Sequence, residues 1–185
     1  MEIIGIVGPF GSGKSTVAKY LEKKFGYEKI TLSSFLRKEA NNRGVKKMTR
    51  KLLQDIGNEF RVKMGPEVLA KLAFEEVKLR KIKKAIIDGI RNPAEIEFLK
   101  KQGNFTLLGI SANIKYRFQR LKKLKSKAVL SWEDFQKYDA RDKGKGQKTT
   151  GLLTGKCFDM AERMIENNGT KKEFLEQINK FIKKT

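Results

Sequence analysis

The chain of 185 residues contains no histidine. That removes imidazole metal ligands and histidine general bases from its chemistry. Cysteine occurs once, at Cys157, so no disulfide framework holds the chain together. This lone thiol, in a predicted helix, is expected to pack rather than react. Proline stands at only three positions, Pro9, Pro66 and Pro93, each a punctuation mark between periodic segments. Acidic residues are scarce: 21 Asp and Glu face 42 Lys and Arg, a formal charge of +21. The excess has two readings, a solvated lysine-rich surface and a field that draws in polyanions such as nucleotides or nucleic acid. No apolar run approaches the ~20 residues of a membrane-spanning helix, and no leader pattern is visible, so the chain is expected to be cytoplasmic.

What the sequence does have begins at residue 8. Residues 8–15 read Gly-Pro-Phe-Gly-Ser-Gly-Lys-Ser and fit G-x-x-x-x-G-K-[ST]. Gly8, Gly11 and Gly13 allow a tight wrap whose backbone N–H groups point at phosphate oxygens, and Ser12 is counted with them as an ATP-binding residue. Lys14 opens a helix whose N-terminus favours anions and whose ammonium reaches the β- and γ-phosphates. The Ser15 hydroxyl can ligate Mg²⁺, and Thr16 adds a second hydroxyl nearby. The competing reading is a glycine-rich turn with an accidental lysine. Context opposes it: β-branched residues 1–7 precede the loop, and residues 15–25 carry Val17, Ala18, Leu21 and Phe25 at helical spacing.

Further along, apolar runs alternate with amphipathic stretches. Strands are predicted at 28–32, 84–88, 105–111 and 163–166. Helices are predicted after Ser33 and Ser34 as caps, over 50–63 after Thr49, from Pro66 to about Lys81, from Pro93, and over 113–125, 132–142, 152–161 and 171–183. Residues 143–151 read as a mobile polar loop. Strands alternating with helical stretches indicate a three-layer α/β/α fold with a parallel sheet of about five strands. One domain over 1–185 is expected, with a helical acceptor region at about 33–80 and a lid-like region at about 117–150.

Ligands of such sheets bind beyond the carboxyl ends of the strands. The first end carries the glycine-rich loop, the second Ser33 and Arg37, the third Asp88-Gly89-Ile90-Arg91, and the fourth leads to Arg117 and Arg120. Asp88 has three readings: support for a Mg²⁺ shell, a base toward an attacking hydroxyl, and a cap for the helix at Pro93. Arg37 and Arg91 offer planar forks suited to phosphate.

These segments together resemble the P-loop nucleotide kinases of the adenylate kinase and dephospho-CoA kinase superfamily. Residues 32–37 (LSSFLR) resemble the segment that carries a monophosphate-gripping arginine there. Residues 87–91 (IDGIR) resemble the D-G-[FY]-P-R segment, without its proline and one residue shorter. Over nearly the whole chain the likeness is to archaeal-type adenylate-kinase-related proteins. Residues 165–170 (IENNGT) are similar to a late strand and turn found there and in dephospho-CoA kinases. The resemblance implies an ATP- and Mg²⁺-dependent enzyme acting on a small nucleotide, a monophosphate or dephospho-CoA. It implies that Lys14, Asp88, Arg117 and Arg120 serve catalysis, that Ser33, Arg37 and Arg91 hold the acceptor, and that Ser15 and Asp88 serve the metal. The 126–150 region has no standard lid and no zinc-binding cysteines, and Arg141, Lys143, Lys145 and Lys148 are its lid candidates. A reading from another class also stands: a basic P-loop ATPase that binds nucleic acid. Against it, no nucleic-acid module and no clustered arginine–aromatic platform is present.

Overall fold

The computed structural model describes residues 1–124, 131–144 and 153–183, with the side chains of Arg50, Arg141 and Asp142 left aside. In chain order the elements are β1 (Glu2–Val7), α1 (Lys14–Phe25), β2 (Glu28–Thr31), α2 (Leu32–Asn42), α3 (Arg50–Met64), α4 (Val68–Leu79) and β3 (Lys84–Asp88). Then follow α5 (Pro93–Lys100), β4 (Phe105–Ser111), α6 (Ile114–Lys123), α7 (Trp132–Asp142), α8 (Thr154–Asp159), β5 (Arg163–Glu166) and α9 (Lys171–Ile182).

The five strands form one parallel sheet in the order β2-β3-β1-β4-β5. Its central strand is apolar and buried from Ile3 to Val7 because helices cover both faces. Alternate side chains of β1 feed different cores. Ile3 and Val7 join Ile87 and Leu107 beneath α2, α4 and α5, while Ile4 and Ile6 join Val17, Leu21, Phe174 and Ile178 of α1 and α9. The expected three layers are therefore present. From β1 the chain first builds toward one edge, through β2 and β3, and then crosses to the other through β4 and β5. The carboxyl end of β1 is the switch point, where the crevice of such a sheet opens.

Helix starts follow local chemistry. Thr49 Oγ1 accepts from Leu52 N at 3.1 Å, and capping boxes at Asn92/Glu95 and Thr170/Glu173 open α5 and α9. One predicted start is corrected. The second strand stops at Thr31, opposite Asp88 in register, and α2 begins at Leu32, one residue before the serines expected to cap it. Leu32 is buried in the core, which draws the first helical turn inward. Ser33 and Ser34 thus lie inside that turn, and Ser34 Oγ donates to Thr31 O at 2.7 Å. A third, small cluster packs Leu121 and Phe135 with Phe10, Phe118 and Trp132, seating α6 and α7 beside the phosphate loop. Among the described residues no helix is long and apolar enough to cross a membrane.

Candidate functional site at the switch point

The glycine-rich loop leaves β1 and runs into α1. Gly8, Gly11 and Gly13 all have positive φ. Two of them are sterically obligatory: a Cβ on Gly8 would stand 2.3 Å from Ile110 O, and one on Gly13 2.4 Å from Asn167 Nδ2. The Lys14 ammonium folds inside the curl and donates to Gly8 O at 2.7 Å and Pro9 O at 3.0 Å. Ser12 is fully buried, and its Oγ has no hydrogen-bond partner among the described residues.

A cleft of about 710 Å³ opens over this loop. Its walls bring together Lys14, Ser15 and Thr16 with Ser33, Arg37, Asp88, Arg91 and Arg120. These come from four strand ends, as the topology requires. Asp88 closes β3, in register with Ile6 on one side and Thr31 on the other. Its third reading, as a helix cap, falls away because Asn92 Oδ1 performs that task for α5. Ser15 and Asp88 supply one hydroxyl and one carboxylate to the same cleft. That oxygen donor set fits Mg²⁺, which takes few protein ligands and completes its shell with phosphates and water.

The cleft extends in two directions. One wing, about 390 Å³, shares Ser33, Arg37, Gly89 and Arg91 with the main cleft and adds Arg61, Gln54 and a leucine-rich floor. The other, about 680 Å³, shares Gly13, Thr16 and Arg120 and adds Lys19, Asn167, Gly169 and Phe174. The loop thus stands at the centre of an elongated, cation-lined trough.

Arg117 departs from its expected role. It is 3% exposed and does not line the cleft. Its guanidinium forms paired bonds to Asp139 at 2.6 and 3.2 Å and donates to Phe10 O and Ala112 O. The reason is geometric. Position 117 faces the underside of the loop, on the side of α6 that packs on α7, whereas position 120, nearly one turn on, reaches the cleft. Arg120 donates through Nη2 to Asn167 O and Oδ1, at 2.8 and 3.1 Å, and Asn167 Nδ2 in turn donates to Ser12 O at 2.8 Å. Of the lid candidates, Lys143 is engaged with Asp139 at 3.0 Å. Lys145, Lys148 and the side chain of Arg141 lie outside the described residues.

Three groups at the site were not found in the sequence. Asn167, Asp139 and the buried pair Arg61–Glu95 all act across long sequence separations. Asn167 sat within the quoted 165–170 segment, and the Asn92-x-x-Glu95 spacing was a visible capping signal. Nothing in the sequence linked either to the loop or to Arg61. Burial opposes the charge on Asp139, but hydrogen bonds from Arg117 and Lys143 and their charges outweigh it and hold its carboxyl below the ordinary aspartate value. Burial, with the Glu95 charge adding to it, pushes the Cys157 thiol far above its ordinary range. The thiol is fully buried, so the expectation of packing over reactivity holds.

A parallel α/β/α sheet with a glycine-wrapped loop at its switch point defines the P-loop class, in the topology used by small-molecule kinases. The fold is shared with a Thermus thermophilus protein of known structure, at TM-score 0.63 and 19% identity over 99% of this chain and 97% of that one. It is likewise shared with shikimate kinase from Acinetobacter baumannii, at TM-score 0.56 and 17% identity over 100% of this chain and 95% of that one. Residues 7–128 match the family described as AAA domain. The UPF0200 protein of Sulfurisphaera tokodaii is 32% identical over 185 residues, covering 100% of this chain and 97% of the relative. That of Pyrococcus horikoshii is 31% identical over 98% of this chain and 96% of the relative. The chain belongs to the UPF0200 family of P-loop proteins. It spans only 56% of the length of the UPF0200/UPF0201 protein of Archaeoglobus fulgidus, to which it is 31% identical.

Proposed function

We propose that the protein transfers the γ-phosphoryl group of ATP to a small nucleotide, most simply a nucleoside monophosphate. One observation carries this reading: Arg37 and Arg91 line the same cleft as Lys14 and the phosphate loop. A P-loop that only hydrolysed its nucleotide would have no use for a second set of anion-binding forks beyond the γ-phosphate position.

The roles follow from charge and position. Loop amides and Lys14 hold the donor's phosphates, and Lys14 leaves its two carbonyl partners to do so. The donor's nucleoside lies in the wing that Lys19, Arg120 and Asn167 line, because that wing shares Gly13 and Thr16 with the phosphate cleft. The acceptor lies in the opposite wing, its phosphate gripped by Arg37 and Arg91, which orients the attacking oxygen. A magnesium ion held by Ser15 and, through water, by Asp88 would neutralise charge on two donor phosphates. Arg120 reaches toward the transferring group from above the loop, where charge develops. Ser33 accepts from Arg37 Nη1 at 2.9 Å and fixes the fork at the entrance of the acceptor wing. With an acceptor that is already an anion, no strong base is required. A hydroxyl acceptor would call on Asp88.

Two arginine forks, Arg37 and Arg91, suit an acceptor phosphate better than the ribose hydroxyl of dephospho-CoA. The test is a panel: ATP and Mg²⁺ with AMP, GMP, CMP, UMP, dephospho-CoA and shikimate, following nucleotide products. Transfer to a monophosphate supports the proposal. Transfer to dephospho-CoA or shikimate alone moves the acceptor to another class. ATP hydrolysis that none of these acceptors diverts, combined with salt-sensitive RNA binding, supports the nucleic-acid ATPase instead.

A further inference from the structure

Arg61 of α3 and Glu95 of α5 form an ion pair at 3.0 Å, with side chains 2% and 0% exposed. The other oxygen of Glu95 accepts from Arg91 N at 2.7 Å and Asn92 N at 3.1 Å. One buried carboxylate therefore ties a guanidinium from α3 to the two backbone amides that carry an acceptor arginine.

Stability does not explain this arrangement. A buried ion pair loses in desolvation much of what it gains in attraction, and apolar replacements are often neutral or better. The capping box by itself needs no arginine: at the start of α9, Glu173 makes the same box with Thr170 at the surface, with no arginine on it among the described residues. The α3 helix also carries a glycine at position 57, where helix propensity favours almost any other residue. A Cβ there would lie 3.3 Å from Arg61 Nη1 and 3.2 Å from Leu36 Cδ1. The helix thus gives up local stability at a point where a Cβ would press on both Leu36 and the guanidinium. Two local rules are broken at one point, and that point is a wall of the acceptor wing, which Arg61 and Arg91 both line. Arg61 Nε, also buried, has no partner among the described residues.

We propose that Arg61, acting through Glu95, is the positioning residue of the acceptor site. The pair fixes the backbone at Arg91 and Asn92, and so fixes where the Arg91 fork meets the acceptor's phosphate. Among the described residues the hydrogen bonds of Glu95 run to Arg61, Arg91 and Asn92, whereas Arg120 and Asn167 are tied to the loop through Ser12 O. This inference rests on the reading that the Arg37–Arg91 wing holds the acceptor. It adds that affinity for acceptor and affinity for ATP are set by separate buried devices.

The test is the double substitution Arg61→Met with Glu95→Gln in the full chain. No buried charge is left alone, and the glutamine carbonyl still accepts from a backbone amide, so the folded state is expected to survive. Acceptor KM, measured with the monophosphate that wild type uses, is expected to rise about 30-fold, the scale of a sub-ångström misplacement of a gripping group. ATP KM is expected to stay within about threefold, so that the change in binding falls on the acceptor side. If the double variant does not fold, Gly57→Ala decides. It favours the helix but crowds Arg61, and acceptor KM is expected to rise about fivefold with ATP KM unchanged. Unchanged acceptor KM in a folded variant overturns the inference while leaving the kinase reading intact. Parallel changes in both constants overturn it as well. A wild-type protein that phosphorylates none of the panel acceptors overturns the kinase reading and this inference together.

Discussion

Arg117 of α6 and Asp139 of α7 are joined by two hydrogen bonds, at 2.6 and 3.2 Å, inside the protein, and the same guanidinium donates to Phe10 O of the phosphate loop at 3.0 Å. The pair is a mechanical link. It ties α7 to a backbone carbonyl of the glycine-rich loop. The ring of Phe135 lies 5.4 Å from the Arg117 guanidinium carbon and completes the packing. An arginine that looks like a catalytic cation in sequence is, in three dimensions, a strut.

Asp139 makes the folded state sensitive to acid. Its carboxyl ionises more easily in the folded chain than in the unfolded one. The stabilisation is therefore complete above the ordinary aspartate value of about 3.9 and is lost as pH falls through the lower, folded value. Asp139→Asn is expected to flatten the stability loss on the acid side in urea titrations between about pH 5 and pH 2. An unchanged acid limb would show that the link carries no protonation-dependent stability.

Breaking the same link from the other side leaves a buried carboxylate with only Lys143. Arg117→Ala is expected to cost about 3–5 kcal/mol in chemical denaturation, the scale for orphaning one partner of a buried pair. A loss below about 1 kcal/mol would be the figure for a surface pair and would contradict the strut.

Lys14→Ala removes the cation at the centre of the trough but no core contact. Phosphoryl transfer is expected to fall about 10³-fold. The melting temperature is expected to move by no more than about 3 °C, because Lys14 belongs to none of the three hydrophobic clusters. A steady-state assay beside a thermal melt separates the two effects.

Arg37→Ala is expected to raise acceptor KM about 10²-fold and to leave ATP KM within about twofold. A variant that shifts only the ATP constant would put Arg37 on the donor and move the acceptor elsewhere.

Cys157 is expected to resist thiol reagents in the native protein at pH 8 and to react at once in denaturant. Its thiol is buried beside Glu95, and both burial and that charge oppose the thiolate. Rapid native labelling would mean that α8 opens readily from the core.

The phosphate loop was legible in the sequence because its constraint is local. Gly8, Gly13 and Lys14 must follow one another at fixed spacing to wrap a phosphate, so the spacing is the signal. The strands were legible for a related reason: a parallel strand covered on both faces reads as a near-continuous apolar run, as β1 does from Ile3 to Val7. That Asp88, Arg37 and Arg91 gather at one rim also followed, because parallel strands send all their carboxyl ends the same way. Tertiary structure alone decided which arginine reaches the cleft. Arg117 and Arg120 are three residues apart on one basic helix, and nothing local distinguishes them. The difference lies in what each meets, Asp139 in one case and Asn167 in the other, at separations of 22 and 47 residues. The same holds for Arg61 and Glu95, 34 residues apart. A buried charge takes its meaning from its partner, and chain folding, not chain order, supplies the partner.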